Sequence, residues 1–157
     1  EDIAHSLSLL SRYNGHTKVF YSVAQHSVMV SHQVPPEHAL WGLLHDAPEA
    51  YLTDLPRPLK QALRALAGGP SWYDLAEERL MRVIDRRWGL SWPQPDEVGA
   101  ADLLLLATEA RDLMSPLHPD WHHCEANGYL VLRDRIVPCL HKTAEQMFLE
   151  RFEELTR

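Results

Sequence analysis

The chain has 157 residues, 45% of them hydrophobic and 24% charged, and carries a net charge of -7. That length suits a single domain over residues 1–157 with a core that needs no disulfide staples. The acidic balance disfavours a long phosphate backbone as partner, so no nucleic acid is expected, and the longest apolar run, 103–107, is far too short for a membrane span.

In chain order, Ile3, Leu7, Leu9 and Leu10 form a helical stripe that Asn14-Gly15 stops. Ser22 caps a second helix running through Val23, His26 and Val30 until Pro35-Pro36 breaks it. Pro36 and Glu37 open a third helix with Ala39, Leu40, Leu43, Leu44 and Ala47 turned inward, and Pro48 kinks or ends it. Pro58 starts a short helix to Leu66 after the turn at 54–58. Ser71 or Asp74 starts a long helix through Leu75, Leu80, Val83, Ile84 and Trp88. Asp96 opens another that ends near Ser115-Pro116. Residues 117–128 read as irregular, and 129–140 stay open between short helix and strand. Thr143 and Gln146 fit a capping box for a last helix carrying Met147, Phe148, Phe152 and Leu155. The fold class is therefore all-α.

Two cysteines, Cys124 and Cys139, lie outside any CxxC pair. They fit a reducing cytoplasm, and no thiolate zinc site is expected. The chain opens on Glu1 with no charged-then-apolar leader, so export is not expected, while sequence before Glu1 is left open. Ten histidines are the compositional excess. Of these, His26 and the pair His45-Asp46, together with the distant Asp102, make a mixed nitrogen and oxygen set suited to Mn, Co, Fe, Ni or Zn rather than Ca. Taken singly, each histidine reads more readily as a surface or half-buried core residue than as a ligand. The His45-Asp46 pair on an apolar helix face does not, because a buried carboxylate needs partners to offset its desolvation. The remaining histidines, including His118, His122 and His123, read as solvent-exposed.

The ordered set Gln25-His26-Ser27, His45-Asp46-Ala47-Pro48-Glu49, Thr53-Asp54-Leu55-Pro56 and Ala101-Asp102 resembles the H…HD…D signature of HD-domain metal-dependent phosphohydrolases. Within that superfamily the chain is most similar to the small nucleotide-acting members, the 5′-deoxynucleotidases and the phage and bacterial deoxynucleoside triphosphate triphosphohydrolases. Asp2-Ile3-Ala4-His5-Ser6-Leu7-Ser8 and the segment from Phe20 to Ser27 resemble the second group in particular. The likeness runs from residue 2 to about 114 and fades afterwards.

The resemblance implies a compact HD-domain helical bundle holding one divalent metal ion (Mn, Co, Zn, Fe, Ni or Mg) on His26, His45, Asp46 and Asp102. It implies that Glu49 orients or deprotonates the attacking water and that Asp54 is a second acid–base carboxylate. Asp54 could equally cap the turn before Pro56, and Pro48 could displace Glu49. Arg12 resembles the arginine that grips phosphate, the alternative being an exposed helix-end cation. Tyr13 stands where relatives place an aromatic against sugar or base. Lys60 and Arg57, with Arg64, form a basic stretch that is either a solvated face or a seat for further phosphates.

The implied activity is hydrolysis of deoxynucleotide 5′-phosphate esters in the cytoplasm by a homo-oligomer, a dimer or larger. It leans to a dATP-like triphosphohydrolase releasing deoxynucleoside and triphosphate. The alternatives are a 5′-deoxynucleotidase acting on monophosphates, a non-catalytic nucleotide-sensing module and, more remotely, a cyclic-nucleotide phosphodiesterase.

Overall fold

The computed structural model describes residues 1–114 and 130–157. His118, His122, His123 and Cys124, and the segment expected to be irregular, lie outside the described residues. Helices α1 (Asp2–Leu9), α2 (Val23–His32), α3 (Ala39–Leu44), α4 (Glu49–Leu52), α5 (Arg57–Ala67), α6 (Trp72–Trp88), α7 (Asp96–Leu113) and α8 (His141–Thr156) make up an all-α fold. Among the described residues the β pairing is one isolated bridge, Ser11 to Ser22. No helix among them is long and apolar enough to cross a membrane.

Helix α2 is the hub. Ser22 caps it, its hydroxyl accepting from Gln25 N, and residues 23–28, 30 and 31 are all buried. A helix buried all round must find a partner on every side; α2 packs against α1, α3, α7 and α8. Leu7, Leu43, Leu44 and Leu105 are each at most 2% exposed around it, and burying such a side chain is worth about 1.5–3 kcal/mol. Helix α3 approaches α2 backbone to backbone at Gly42. A Cβ there would lie 3.0 Å from Ser31 Cα and 3.2 Å from Ser31 N. That close crossing brings the ends of α2 and α3 to one place.

Several elements depart from their expected bounds. Helix α1 stops at Leu9, and Leu10 is already extended, because the chain turns there to pair Ser11 with Ser22 and to donate Arg12 N to Tyr21 O. The third helix divides into a 3-10 turn at Pro36–His38 and α3, which ends at Leu44. Ala47 N and Glu49 N then bond three residues back, to Leu44 O and Asp46 O, as Pro48 withdraws a donor from the ladder. Helix α8 begins at His141 with no side-chain cap, so the Thr143–Gln146 box does not form. The Ser71–Asp74 box at the head of α6 does, with Ser71 Oγ accepting from Asp74 N and Asp74 Oδ2 accepting from Ser71 N. The segment 130–140 is neither helix nor strand. Gln25 holds it from inside, donating to Val137 O and accepting from Cys139 N.

Candidate metal centre and its cleft

His26 sits in the middle of α2 and is fully buried. Its Nδ1 lies 2.6 Å from Oε1 of Glu109, a fully buried carboxylate on α7. His45 follows the end of α3, and its Nδ1 donates to Gly42 O at 2.8 Å. A carbonyl can only accept, so that bond leaves the lone pair of His45 on Nε2. The two rings stand 5.3 Å apart between centroids.

Both Nε2 atoms point at acids. His26 Nε2 is 3.2 Å from Asp102 Oδ1 and 3.7 Å from Asp46 Oδ2, while His45 Nε2 is 3.3 Å from Asp46 Oδ2. These contacts are close but misaligned for hydrogen bonding, and neither nitrogen has a partner. One ligand atom each from His26, His45 and Asp102 lie within 4.8 Å of one another. Nitrogen and oxygen ligands about 2.1 Å from a shared ion stand roughly 3–4 Å apart, the range in which His26 meets Asp102 at 3.2 Å and His45 meets Asp46 at 3.3 Å. Imidazole anchored at Nδ1 by a carboxylate or carbonyl is also how proteins orient a metal-binding histidine.

A cleft of about 230 Å³ opens above this cluster, with Arg12, Tyr13, Glu49, Asp54, Arg57 and Lys60 in its wall. Arg12 is 9% exposed, so it is not the solvated helix-end cation that the sequence allowed. Its Nη2 donates to Glu109 Oε2 at 3.1 Å, and its Nη1 is 3.5 Å from Asp46 Oδ2. Tyr13 hydroxyl also donates to Glu109 Oε2. Pro48 does not remove Glu49 from the site, since Glu49 is 4% exposed and shares the cleft wall with Asp46. Asp54 does not cap the following helix, whose N-cap is Pro56 and which has no side-chain cap. Lys60 lies inside the cleft between acids, with Nζ 2.9 Å from Glu77 Oε1 and 3.5 Å from Glu49 Oε1. Arg64 is held on both oxygens of Asp74.

Buried polar side-chain atoms are normally satisfied, and each exception asks for a reason. Among the described residues the exceptions are Arg12 Nε, His26 Nε2, His45 Nε2 and Glu49 Oε2. All four belong to residues singled out by the sequence: Arg12 and Glu49 line the cleft with Asp46 and Asp102, the acids that His45 and His26 approach.

The acids divide into two groups. Burial works against the charged form of Asp46, but His45, His26 and Arg12 hold its carboxyl well below the usual carboxylate range. Asp102 is likewise opposed by burial and drawn down to about 2 by His26 and His45. Burial and the negative charge of Asp46 instead push both Glu49 and Asp54 upward. Carboxylates kept ionised suit a cation, whereas carboxylates raised toward neutrality suit proton transfer. For His26, burial and Arg12 pull down, yet Glu109 and Asp102 outweigh them and raise it to about 9.

Glu109 is the residue that sequence reasoning missed. It lies seven residues after Asp102, two turns along the same face of α7, among buried Val98, Ala101, Leu105 and Thr108. An acid among the buried apolar residues of that face was the available signal.

The fold and site together define an all-helical protein with a buried His/Asp cluster able to hold a metal ion. No family model matches the chain. It is 41% identical over 155 residues to the uncharacterized protein YfdR of Escherichia coli (strain K12), covering 99% of this chain and 83% of that protein. It is also 35% identical over 126 residues to an uncharacterized protein of Rhodobacter capsulatus, covering 72% of this chain and 61% of that one. The chain belongs to the YfdR family.

Proposed function

We propose that this protein is a divalent-metal-dependent phosphohydrolase of the HD-domain type that cleaves deoxynucleotide 5′-phosphate esters, favouring deoxynucleoside triphosphates. The observation that carries the reading is a set of four unpartnered buried atoms on Arg12, His26, His45 and Glu49: Arg12 and Glu49 line the cleft, and His26 and His45 stand against Asp102 and Asp46 in its wall. His26, His45, Asp46 and Asp102 would hold the cation. When bound, it supplies Lewis acidity that draws charge from the phosphoryl oxygens.

The protein's own groups do the rest. Arg12, preset by Glu109, offers its fork and its unpaired Nε to phosphoryl oxygens. Glu49, raised out of the ordinary carboxylate range by burial and by Asp46, is a stronger base than an ordinary carboxylate and takes a proton from the attacking water. As the new P–O bond forms and the bond to the 5′ oxygen breaks, Asp54 delivers a proton to the leaving oxygen. Arg57, Lys60 and Arg64 follow one another along one side of α5 in the cleft wall. That row favours a substrate with phosphates beyond the one attacked.

The test is product analysis on the Mn²⁺-loaded protein with deoxynucleoside mono- and triphosphates in parallel. Deoxynucleoside plus triphosphate is expected from the triphosphates. Turnover of monophosphates alone, to deoxynucleoside and phosphate, would make the protein a 5′-deoxynucleotidase and remove the role of α5. No turnover on either panel, with Mn²⁺ binding confirmed by calorimetry, would overturn the enzymatic reading.

A further inference from the structure

Thr53 joins α4, which carries Glu49, to Asp54. Its backbone stands at φ 71°, ψ 157°, a region that belongs essentially to glycine and that a β-branched residue enters only under constraint. Thr53 N donates to Glu49 O at 2.8 Å, which closes the end of α4. Its carbonyl then turns toward α6 and accepts from the hydroxyl of Tyr73 at 2.5 Å. Tyr73 is 1% exposed and sits in the first turn of α6, where the Ser71–Asp74 capping box fixes the helix start. Lys60 Nζ rests 5.1 Å above the centre of its ring. One buried side chain therefore touches the strained link between the two raised carboxylates and also the cation lying between Glu49 and Glu77.

We propose that Tyr73 is a positioning residue for the cleft: its hydroxyl pins the Thr53 carbonyl, and so sets where Asp54 stands relative to Glu49. This rests on the reading of Glu49 and Asp54 as the acid–base pair. Strain persists only where its surroundings over-determine it. Without the hydroxyl, Thr53 relaxes toward negative φ and swings Asp54 away. The ring does separate work as the surface on which Lys60 lies, and Tyr73→Phe leaves that surface in place.

The experiment compares wild type, Tyr73→Phe, Thr53→Gly and the double variant. Glycine reaches φ 71° without steric penalty, so Thr53→Gly removes the strain that the hydroxyl offsets. Tyr73→Phe is expected to lower kcat by roughly 10- to 100-fold, as small misplacements of reacting groups do, with KM and Mn²⁺ affinity close to wild type. The double variant is expected to recover most of that loss. Carboxyl carbon NMR gives a readout independent of turnover: Tyr73→Phe should move the Asp54 and Glu49 resonances and leave Asp102 in place, and Thr53→Gly should restore them.

Wild-type kcat in Tyr73→Phe, or a loss of stability with both carboxyl resonances unmoved, would overturn the proposal. So would a kcat loss that Thr53→Gly does not relieve. If wild type hydrolyses no nucleotide, the acid–base reading fails, and the NMR arm still decides whether Tyr73 positions Asp54.

Discussion

Glu109→Gln probes how much of the site hangs on one buried carboxylate. Three donors meet there: His26 Nδ1 at 2.6 Å, Arg12 Nη2 at 3.1 Å and the Tyr13 hydroxyl. Glutamine keeps the shape, but its amide oxygen serves only part of this set and its NH₂ group faces donors. Arg12 then retains Asp46 at 3.5 Å as its nearest acid. Losing charge-assisted hydrogen bonds at about 1.5–3 kcal/mol each, partly relieved by the amide oxygen, destabilises the metal-free protein by roughly 3 kcal/mol. For a domain of this size that lowers Tm by roughly 6–12 °C. The orientation of the His26 ring suffers as well, and removing such an outer carboxylate costs about 10- to 100-fold in metal affinity. Thermal unfolding of the metal-free variant and Mn²⁺ titration calorimetry measure the two effects. A variant with wild-type Tm and wild-type Mn²⁺ affinity would refute the role given to Glu109.

The titration of the same ion pair makes further demands. Glu109, with burial opposing ionisation but Arg12 and His26 winning, is held at about 2. Its contribution is therefore complete above its unfolded value near 4.5 and fades as pH falls toward 2. His26, raised to about 9, contributes fully below its unfolded value near 6.5 and loses that contribution as pH rises through 9. Metal-free protein should thus be most stable between about pH 4.5 and 6.5 with respect to this pair, as denaturant titrations across pH would show. Because the cation needs neutral His26, Mn²⁺ affinity should climb with pH up to about 9; a flat profile from pH 6 to 9 would exclude His26 as a ligand. Asp46→Ala should abolish both Mn²⁺ binding and turnover, and retained activity would sink the proposed centre. Glu49→Ala should keep Mn²⁺ while slowing hydrolysis by roughly 10²–10⁴, checked by single-turnover kinetics alongside calorimetry. Gly42→Ala places a Cβ 3.0 Å from Ser31 Cα, so α3 must move off α2 at a cost of about 1–3 kcal/mol. Because His45 follows α3 and His26 rides on α2, Mn²⁺ affinity should fall with stability, and an unchanged affinity would show that the crossing does not set the site.

The sequence alone determined the all-helical class, because apolar residues recur at helical spacing and Ser22, Ser71 and the prolines mark the ends. It also singled out His26, His45, Asp46, Asp102 and Glu49 through their ordered motif, and Arg12 through the resemblance that motif carries. Helix ends were less legible. The stop of α1 at Leu9 goes with a bridge to Ser22, and the start of α8 at His141 carries no side-chain cap. Only the tertiary structure decided which charges face one another. Glu109 is one acid among 22 along the chain, and it becomes the partner of His26, Arg12 and Tyr13 only when α7 lies against α2. Lys60 read as part of a basic run, yet folding sets it between Glu49 and Glu77. Tyr73 carried no signal, since its hydroxyl bonds a backbone carbonyl twenty residues away. Spacing along a chain reports which face of a helix a residue occupies. Pairings between helices depend on how close their backbones come, and here the missing side chain of Gly42 sets that distance.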